Sequence, residues 1–257
     1  MSLLLDKLDR AAERFVQPLG FGGSAKREPV SPILVLGAFE ANGGSQPQKT
    51  KKELLDGAVI RTTNTTKKSV LEKTTKSLGD LMFGTWSESP QAALTKGADF
   101  EIFSSPLTSL AVLSDNDRTF IMNIELSLDE GLIRTIDVLP VSGFVIQLNN
   151  VPQLTLEHLM QIGRISTATS KPVFLHLSSI PVEADLSSLR DIGIAALIVE
   201  LENNSDDAFM KLNKALKNMP QKPNERENRK VNSSSPYTLS KDTTDVTPDD
   251  NDEWDDD

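Results

Sequence analysis

The sequence predicts an α/β fold in which eight parallel strands alternate with helices and close into a barrel. Short apolar runs rich in Val, Ile, Leu and Phe recur between residues 33 and 202, the profile of strands buried on both faces. Their starts lie ~18–30 residues apart, the span of a strand plus a helix and too long for a hairpin. The segments between them are amphipathic or compatible with helix. An open, doubly wound sheet would satisfy the same alternation, but the strand number matches a closed barrel and no Gly-rich nucleotide fingerprint follows the first run.

Residues 3–16 place Leu4, Leu5, Leu8, Ala11, Ala12, Phe15 and Val16 at helical spacing with charged residues between them. This is an amphipathic helix whose apolar face needs a groove. A loop rich in Gly and Pro follows, so residues 1–30 lead into the barrel. The strand runs are then ILVLGAFE, GAVIRTT, LMFGTWSE, DFEIFSS, TFIMNIELS, GFVIQLNN, PVFLHLSS and AALIVELE. Helices are expected around KTKKELLD, TKKSVLEKTTKSL, SPQAALTKG, SPLTSLAVLSD, LDEGLIRTIDVLP, LTLEHLMQIGRISTATS and ADLSSLRDIG, with SDDAFMKLNKALKNM after the last strand. The barrel therefore occupies residues 31–218. Residues 219–257 have few apolar side chains, several Pro, a Ser run and a basic-to-acidic gradient. Such a segment buries too little to offset the entropy of ordering, so the tail reads as disordered.

Composition narrows the functional classes. The chain is 38% hydrophobic, enough for a sizeable core, and has no cysteine, which removes disulfides, thiolate metal sites and cysteine nucleophiles together. The start, MSLLLDKLDRAAERF, holds too short an apolar run for a signal-peptide core or a membrane span, so a cytoplasmic protein without membrane attachment is expected. Of the formal net charge of −10, residues 249–257 contribute −7, leaving −3 on the rest. A mildly acidic folded part lacks the clustered Lys and Arg that a nucleic-acid surface requires. The tail itself, DDNDEWDDD, is a solubilising acidic run or a tethered peptide whose Trp254 anchors in a protein partner.

The strand runs, with the pairing of SKPVFLHLSS and LRDIGIAALIVEL, resemble the closing units of aldolase-type barrels. The likeness to the TIM-barrel superfamily covers roughly residues 31–218 and identifies no specific family. It implies that reactive groups lie at the carboxyl ends of the strands.

Alternation along each strand assigns faces to the polar residues found there. Val173, Leu175 and Leu177 share one face, and Phe174, His176 and Ser178 the other. Glu200 aligns with Ala196 and Ile198, Asn123 with Glu125, Gln147 with Asn149, and Arg61 with Thr63; Glu101 lies within DFEIF. The outward face must pack on helices, so these polar residues are expected to point inward at the barrel mouth. Two readings follow. In one, Arg61, Glu101, Glu125, His176 and Glu200 satisfy one another in an internal network. In the other, Glu125 and Glu200 act as base or metal ligand, His176 as acid or ligand, and Arg61 as a carboxylate clamp, with Glu101, Asn123, Gln147 and Ser178 contacting a small polar ligand. Neither reading fixes a metal or a cofactor.

Several chemistries are disfavoured. No strand run contains the inward lysine of a Schiff-base enzyme. The loops after the seventh and eighth runs, SSIPVEADLS and ENNSDDAF, lack glycine and carry acids that repel phosphate. Gly43, Gly44 and Ser45 before Lys49, Lys51 and Lys52 do not follow a Walker order and read as a loop, as does LGFGGSAKR. His158 falls on an outer helix and reads as solvated, and Trp86, beside Glu88, packs under a loop or stacks on a ligand. The expected function is binding, with or without transformation, of a small polar metabolite at the barrel mouth. The alternative is a degenerate, non-catalytic barrel that serves as a protein-binding scaffold.

Overall fold

The computed structural model describes residues 2–13, 31–41, 47, 49–63, 65–89, 97–113, 118–148, 151 and 153–219. The expectations for residues 14–30, Phe15 and Val16 included, for Gly43, Gly44 and Ser45, for most of the helix around SPQAALTKG, for Asn149 and for the acidic tail with Trp254 lie outside the described residues. Eight strands form one sheet: β1 (Leu34–Glu40), β2 (Gly57–Arg61), β3 (Phe83–Ser87), β4 (Phe100–Phe103), β5 (Thr119–Ile124), β6 (Gly143–Leu148), β7 (Val173–Leu177) and β8 (Ile194–Glu200). They are ordered as in the chain and closed by β8 on β1. Every pairing is parallel.

The helices are α1 (Leu3–Glu13), α2 (Lys49–Lys52), α3 (Lys68–Leu78), α4 (Leu110–Leu113), α5 (Glu130–Ile133), α6 (Leu156–Ser166), α7 (Glu183–Asp191) and α8 (Asp206–Asn218), with a 3-10 turn at Ile136–Val138. Among the described residues the crossovers after β1, β4 and β5 carry less helix than the sequence pattern predicts, a single turn each. In α4 no residue is fully buried, and Leu113 packs only partly against the outer cluster. Leu107, Leu110 and Val138 are correspondingly left exposed. Among the described helices none is long and apolar enough to cross a membrane.

Strand alternation divides the apolar residues into two clusters. Outward side chains such as Val35, Phe39, Phe144, Leu175 and Leu197 pack with Leu71, Ile162, Leu186, Phe209 and Leu212 of the helices. Inward ones, including Leu36, Val59, Ile102, Ile121, Val145, Phe174 and Ile198, fill the barrel. Gly84 makes room for this filling, since a Cβ there would sit 2.3 Å from the ring of Phe100, its register partner on β4.

The amphipathic N-terminal helix finds its groove in the barrel itself. Leu4, Leu8 and Ala11 are buried in the inner cluster with Leu34, Met82 and Phe100 from the amino-terminal ends of the strands. Each leucine contributes ~1.5–3 kcal/mol by leaving water. Asp99, just before β4, fixes the helix start: its carboxylate accepts from Ser2 Oγ at 2.8 Å, Leu3 N at 2.7 Å and Leu4 N at 2.8 Å. A carboxylate on free helix N–H groups is favourable both as a cap and against the helix dipole. Lys7 Nζ donates to the carbonyl of Asp56 at 2.5 Å. The bottom of the barrel is thereby sealed.

At the opposite end, side chains bind the last strands together. Asn204 Nδ2 donates to the carbonyls of Glu200 (2.7 Å) and Ser178 (3.1 Å), while its Oδ1 accepts from Ile180 N (3.0 Å). Lys51 Nζ bonds the carbonyls of Leu201 (3.2 Å) and Asn204 (2.9 Å) and lies 3.3 Å from Asp206. This lysine of the candidate anion loop is therefore engaged at the barrel seam.

On the outer surface Asp137 anchors the loop before β7. Its Oδ1 accepts from Thr169 Oγ1 at 2.7 Å and Ser170 N at 2.9 Å. The Thr169 hydroxyl first, then the Ser170 amide, hold its carboxyl below the usual range. A depressed carboxylate contributes its stability above the unfolded-state pKa and loses it as pH falls through the folded one. The melting temperature of wild type is therefore expected to fall more steeply than that of Asp137→Ala as pH drops through and below the ordinary carboxylate range, a comparison for circular dichroism melts.

Candidate functional site

The inward positions at the carboxyl ends of the strands change from apolar to polar one step above the filled interior. Arg61 ends β2, Trp86 and His176 are next to last in β3 and β7, Asn123 and Gln147 hold the same place in β5 and β6, and Glu200 ends β8. Ser104 follows β4. Each stands two residues beyond an inner-cluster side chain on the same strand: Val59, Ile121, Val145, Phe174, Ile198 and Ile102, or, for Trp86, Gly84.

Three of these form a tight group. Glu200 Oε1 lies 2.7 Å from His176 Nε2 and also accepts from Arg61 Nη2, which is itself 2.9 Å from His176 Nε2. His176 is 1% exposed and its Nδ1 is buried without a partner. An N–H there would be desolvated with nothing to accept it, so we assign the proton to Nε2, donating to Glu200, and a lone pair to Nδ1. The group then consists of a carboxylate, a guanidinium and an imidazole, and the buried acid is compensated. Trp86 completes the packing. Its ring meets His176 edge to face with centroids 5.2 Å apart, and the Arg61 guanidinium lies 5.4 Å from the indole centroid, within cation–π range.

A second chain of polar contacts crosses the mouth. Trp86 Nε1 donates to Ser104 Oγ at 3.2 Å, and Asn123 Nδ2 donates to Ser104 Oγ and Gln147 Oε1, both at 3.3 Å. Beside Arg61 opens a pocket of about 320 Å³, lined in part by Glu40, Arg61, Thr63, Trp86, Glu88, Ser104 and Gln147. That is the small end of the range for ligand sites. A larger groove, about 670 Å³, lies outside the barrel between α7 and α8, with Leu186, Ala208, Leu212 and Ala215 among its walls.

The structure brings together Arg61, His176 and Glu200, and places Asn123 and Gln147 beside them. It separates three other expected site residues. Glu101 alternates with the inward Phe100 and Ile102, so it faces outward with Phe103, and it is paired with Arg118 at 2.9 Å. An outward acid was excluded on the premise that this face is apolar; the guanidinium at the entry to β5 compensates it instead. Glu125 lies one residue past β5, exposed, accepting from Ser127 Oγ at 3.1 Å. Ser178 follows β7 and does not line the pocket; its carbonyl is held by Asn204. His158 is not simply solvated: it completes the cap of α6, where Thr155 N donates to its Nδ1 at 3.1 Å and Thr155 Oγ1 accepts from its amide.

Sequence reasoning missed Glu40 and Ser104. The alternation rule contains both, since Glu40 stands two places beyond Ala38 and Ser104 two beyond Ile102. Among the described residues no group of three or more His, Asp and Glu side chains is arranged to hold a metal ion.

No known family profile matches the chain, and no curated protein matches it in sequence. Solved structures do. 3-Hexulose-6-phosphate synthase aligns over 72% of this chain and 100% of its own, with a TM-score of 0.53 at 12% identity. Two mutant forms of the tryptophan synthase alpha-subunit from the hyperthermophile Pyrococcus furiosus each align over 71% of this chain and 96% of theirs. Their TM-scores are 0.51 at 8% identity and 0.50 at 9%. At such identities the likeness concerns the fold alone, a closed eight-stranded parallel barrel of the TIM type.

Proposed function

We propose that this barrel binds a small polar metabolite through an anionic group, a carboxylate, held by Arg61 at the carboxyl-terminal mouth. One observation carries the reading. The Arg61 side chain is pinned through Nη2 alone, by the Glu200 carboxylate with the His176 ring beside it, while 33% of it remains exposed at the pocket. Guanidinium has five N–H donors in a planar fork suited to carboxylate, and Nε and Nη1 have no partner among the described residues. His176 and Glu200 are positioning residues in this scheme. Their polar atoms engage each other, and Glu200 also engages Arg61, which supports binding more than proton transfer to a substrate.

The substrate of 3-hexulose-6-phosphate synthase does not carry over with the fold. α7 and α8, which follow β7 and β8, begin with Glu183 and Asp185 and with Asp206 and Asp207. These charges oppose a phosphate at either helix start. The scaffold reading rests on a different observation, the exposed Leu107, Leu110 and Val138 over the thin crossovers.

The test is a thermal-shift screen of small carboxylates, with and without an amino group, on wild type and Arg61→Ala. Ligands that raise the melting temperature of wild type and leave Arg61→Ala unmoved support the reading. Equal shifts in both proteins, or none in either, would overturn it and favour the scaffold.

A further inference from the structure

We infer that the ligand of this pocket is dipolar, an amino-carboxylate whose carboxylate meets Arg61 and whose ammonium group meets Glu40 and Glu88. The inference rests on the carboxylate reading above and extends it by a second recognition element.

The pocket lining sorts by hydrogen-bonding sense. Arg61, Ser104 and Gln147 are half-buried, and each has donors to offer. Gln147 Oε1 is occupied by Asn123, leaving its NH2 group without a partner among the described residues. Ser104 Oγ already accepts from Trp86 and Asn123, so its remaining capacity is its own O–H. These groups, with Nε and Nη1 of Arg61, present hydrogens to one negatively charged group.

Acceptors stand further out. Glu40 ends β1 and Glu88 follows β3, so the two acids flank β2 and Arg61 on either side. Glu40 is the register partner of Arg61, as Trp86 is on the other side. Both glutamates are exposed and line the pocket. Neither carboxylate has a partner among the described residues.

Charge decides between a plain anion and a dipole. The Arg61 cation is already balanced by Glu200, so Glu40 and Glu88 leave the mouth with an excess of negative charge. A simple carboxylate would approach against that field, whereas a ligand bearing its own ammonium group gains from it. The same acids reject larger polyanions, which fits the acidic starts of α7 and α8.

Isothermal titration of the full-length protein tests this with matched probes. These are glycine, L-serine, 4-aminobutanoate and 5-aminopentanoate, their counterparts lacking the amine, and the corresponding amines lacking the carboxylate. At least one amino-carboxylate is expected to bind about tenfold or more tighter than either of its single-charge counterparts. Its advantage over the amine-free acid should disappear in Glu40→Gln/Glu88→Gln, and its binding in Arg61→Ala. Both glutamates are exposed, so the double variant should keep the wild-type melting temperature. If amine-free acids bind as well as their partners and improve in the double variant, the dipolar inference fails while the carboxylate reading stands. If amines bind regardless of Arg61, or nothing in the panel binds, both fail.

Discussion

Leu4→Asp is expected to lower the unfolding free energy by about 4–6 kcal/mol, whereas Leu3→Asp, one residue away, should change it by less than about 1 kcal/mol. Leu4 is 0% exposed and Leu3 57%. At the buried position the substitution removes an apolar side chain from the inner cluster, a loss worth ~2–5 kcal/mol for leucine truncation, and puts a charge against Leu34, Met82 and Phe100. At the exposed position the new acid sits in the first helical turn, where the helix dipole favours it. Urea midpoints with unchanged slopes would establish both values. Equal, small effects at the two sites would mean that α1 does not seal the barrel.

Glu200→Ala is expected to cost about 2–3 kcal/mol, with Glu200→Gln costing about half as much. The alanine leaves His176 Nε2 without its acceptor and Arg61 without its counter-charge. Full burial of such a pair would put the loss at ~3–5 kcal/mol, but water reaches part of the Arg61 side chain and screens the remaining cation. Glutamine keeps an acceptor for the imidazole and loses only the charge. The coupling can be measured directly: Arg61→Ala/Glu200→Ala should be more stable than the two single losses added together predict, by about 1–2 kcal/mol. Strict additivity would show that the two side chains do not interact in solution.

The barrel was legible in the sequence because its physical cause is local. A strand buried on both faces needs an unbroken apolar run, and a parallel neighbour needs a long crossover, so spacing alone carried the topology. The inward placement of Arg61, Asn123, Gln147, His176 and Glu200 was equally accessible through alternation. The misses share a different cause. Glu101 was assigned inward from a rule about composition, although its own neighbours, Phe100 and Ile102, already placed it outward. What tolerates it is Arg118, and no period in the chain announces that pair. Glu125 fails because β5 ends at Ile124. The chain turns there, with Leu128 N donating to the Glu125 carbonyl at 3.2 Å, and alternation has no meaning beyond a strand end. Glu40 was overlooked for the reverse reason: it obeys the alternation, but its significance comes from lying beside Arg61 in the register of two strands. The thin crossovers after β4 and β5 were overread because apolar spacing indicates which face could pack, without measuring whether enough side chains reach the sheet to hold a helix there.

The helix at the amino-terminal end of the barrel gives the interior the form of a cup. A molecule held at the rim would have to arrive and depart by the same route, since the filled interior offers none through the axis. Exchange of the proposed ligand would then take place past Glu40 and Glu88, so mutations deep in the cup should alter stability while leaving the kinetics of entry and exit nearly untouched.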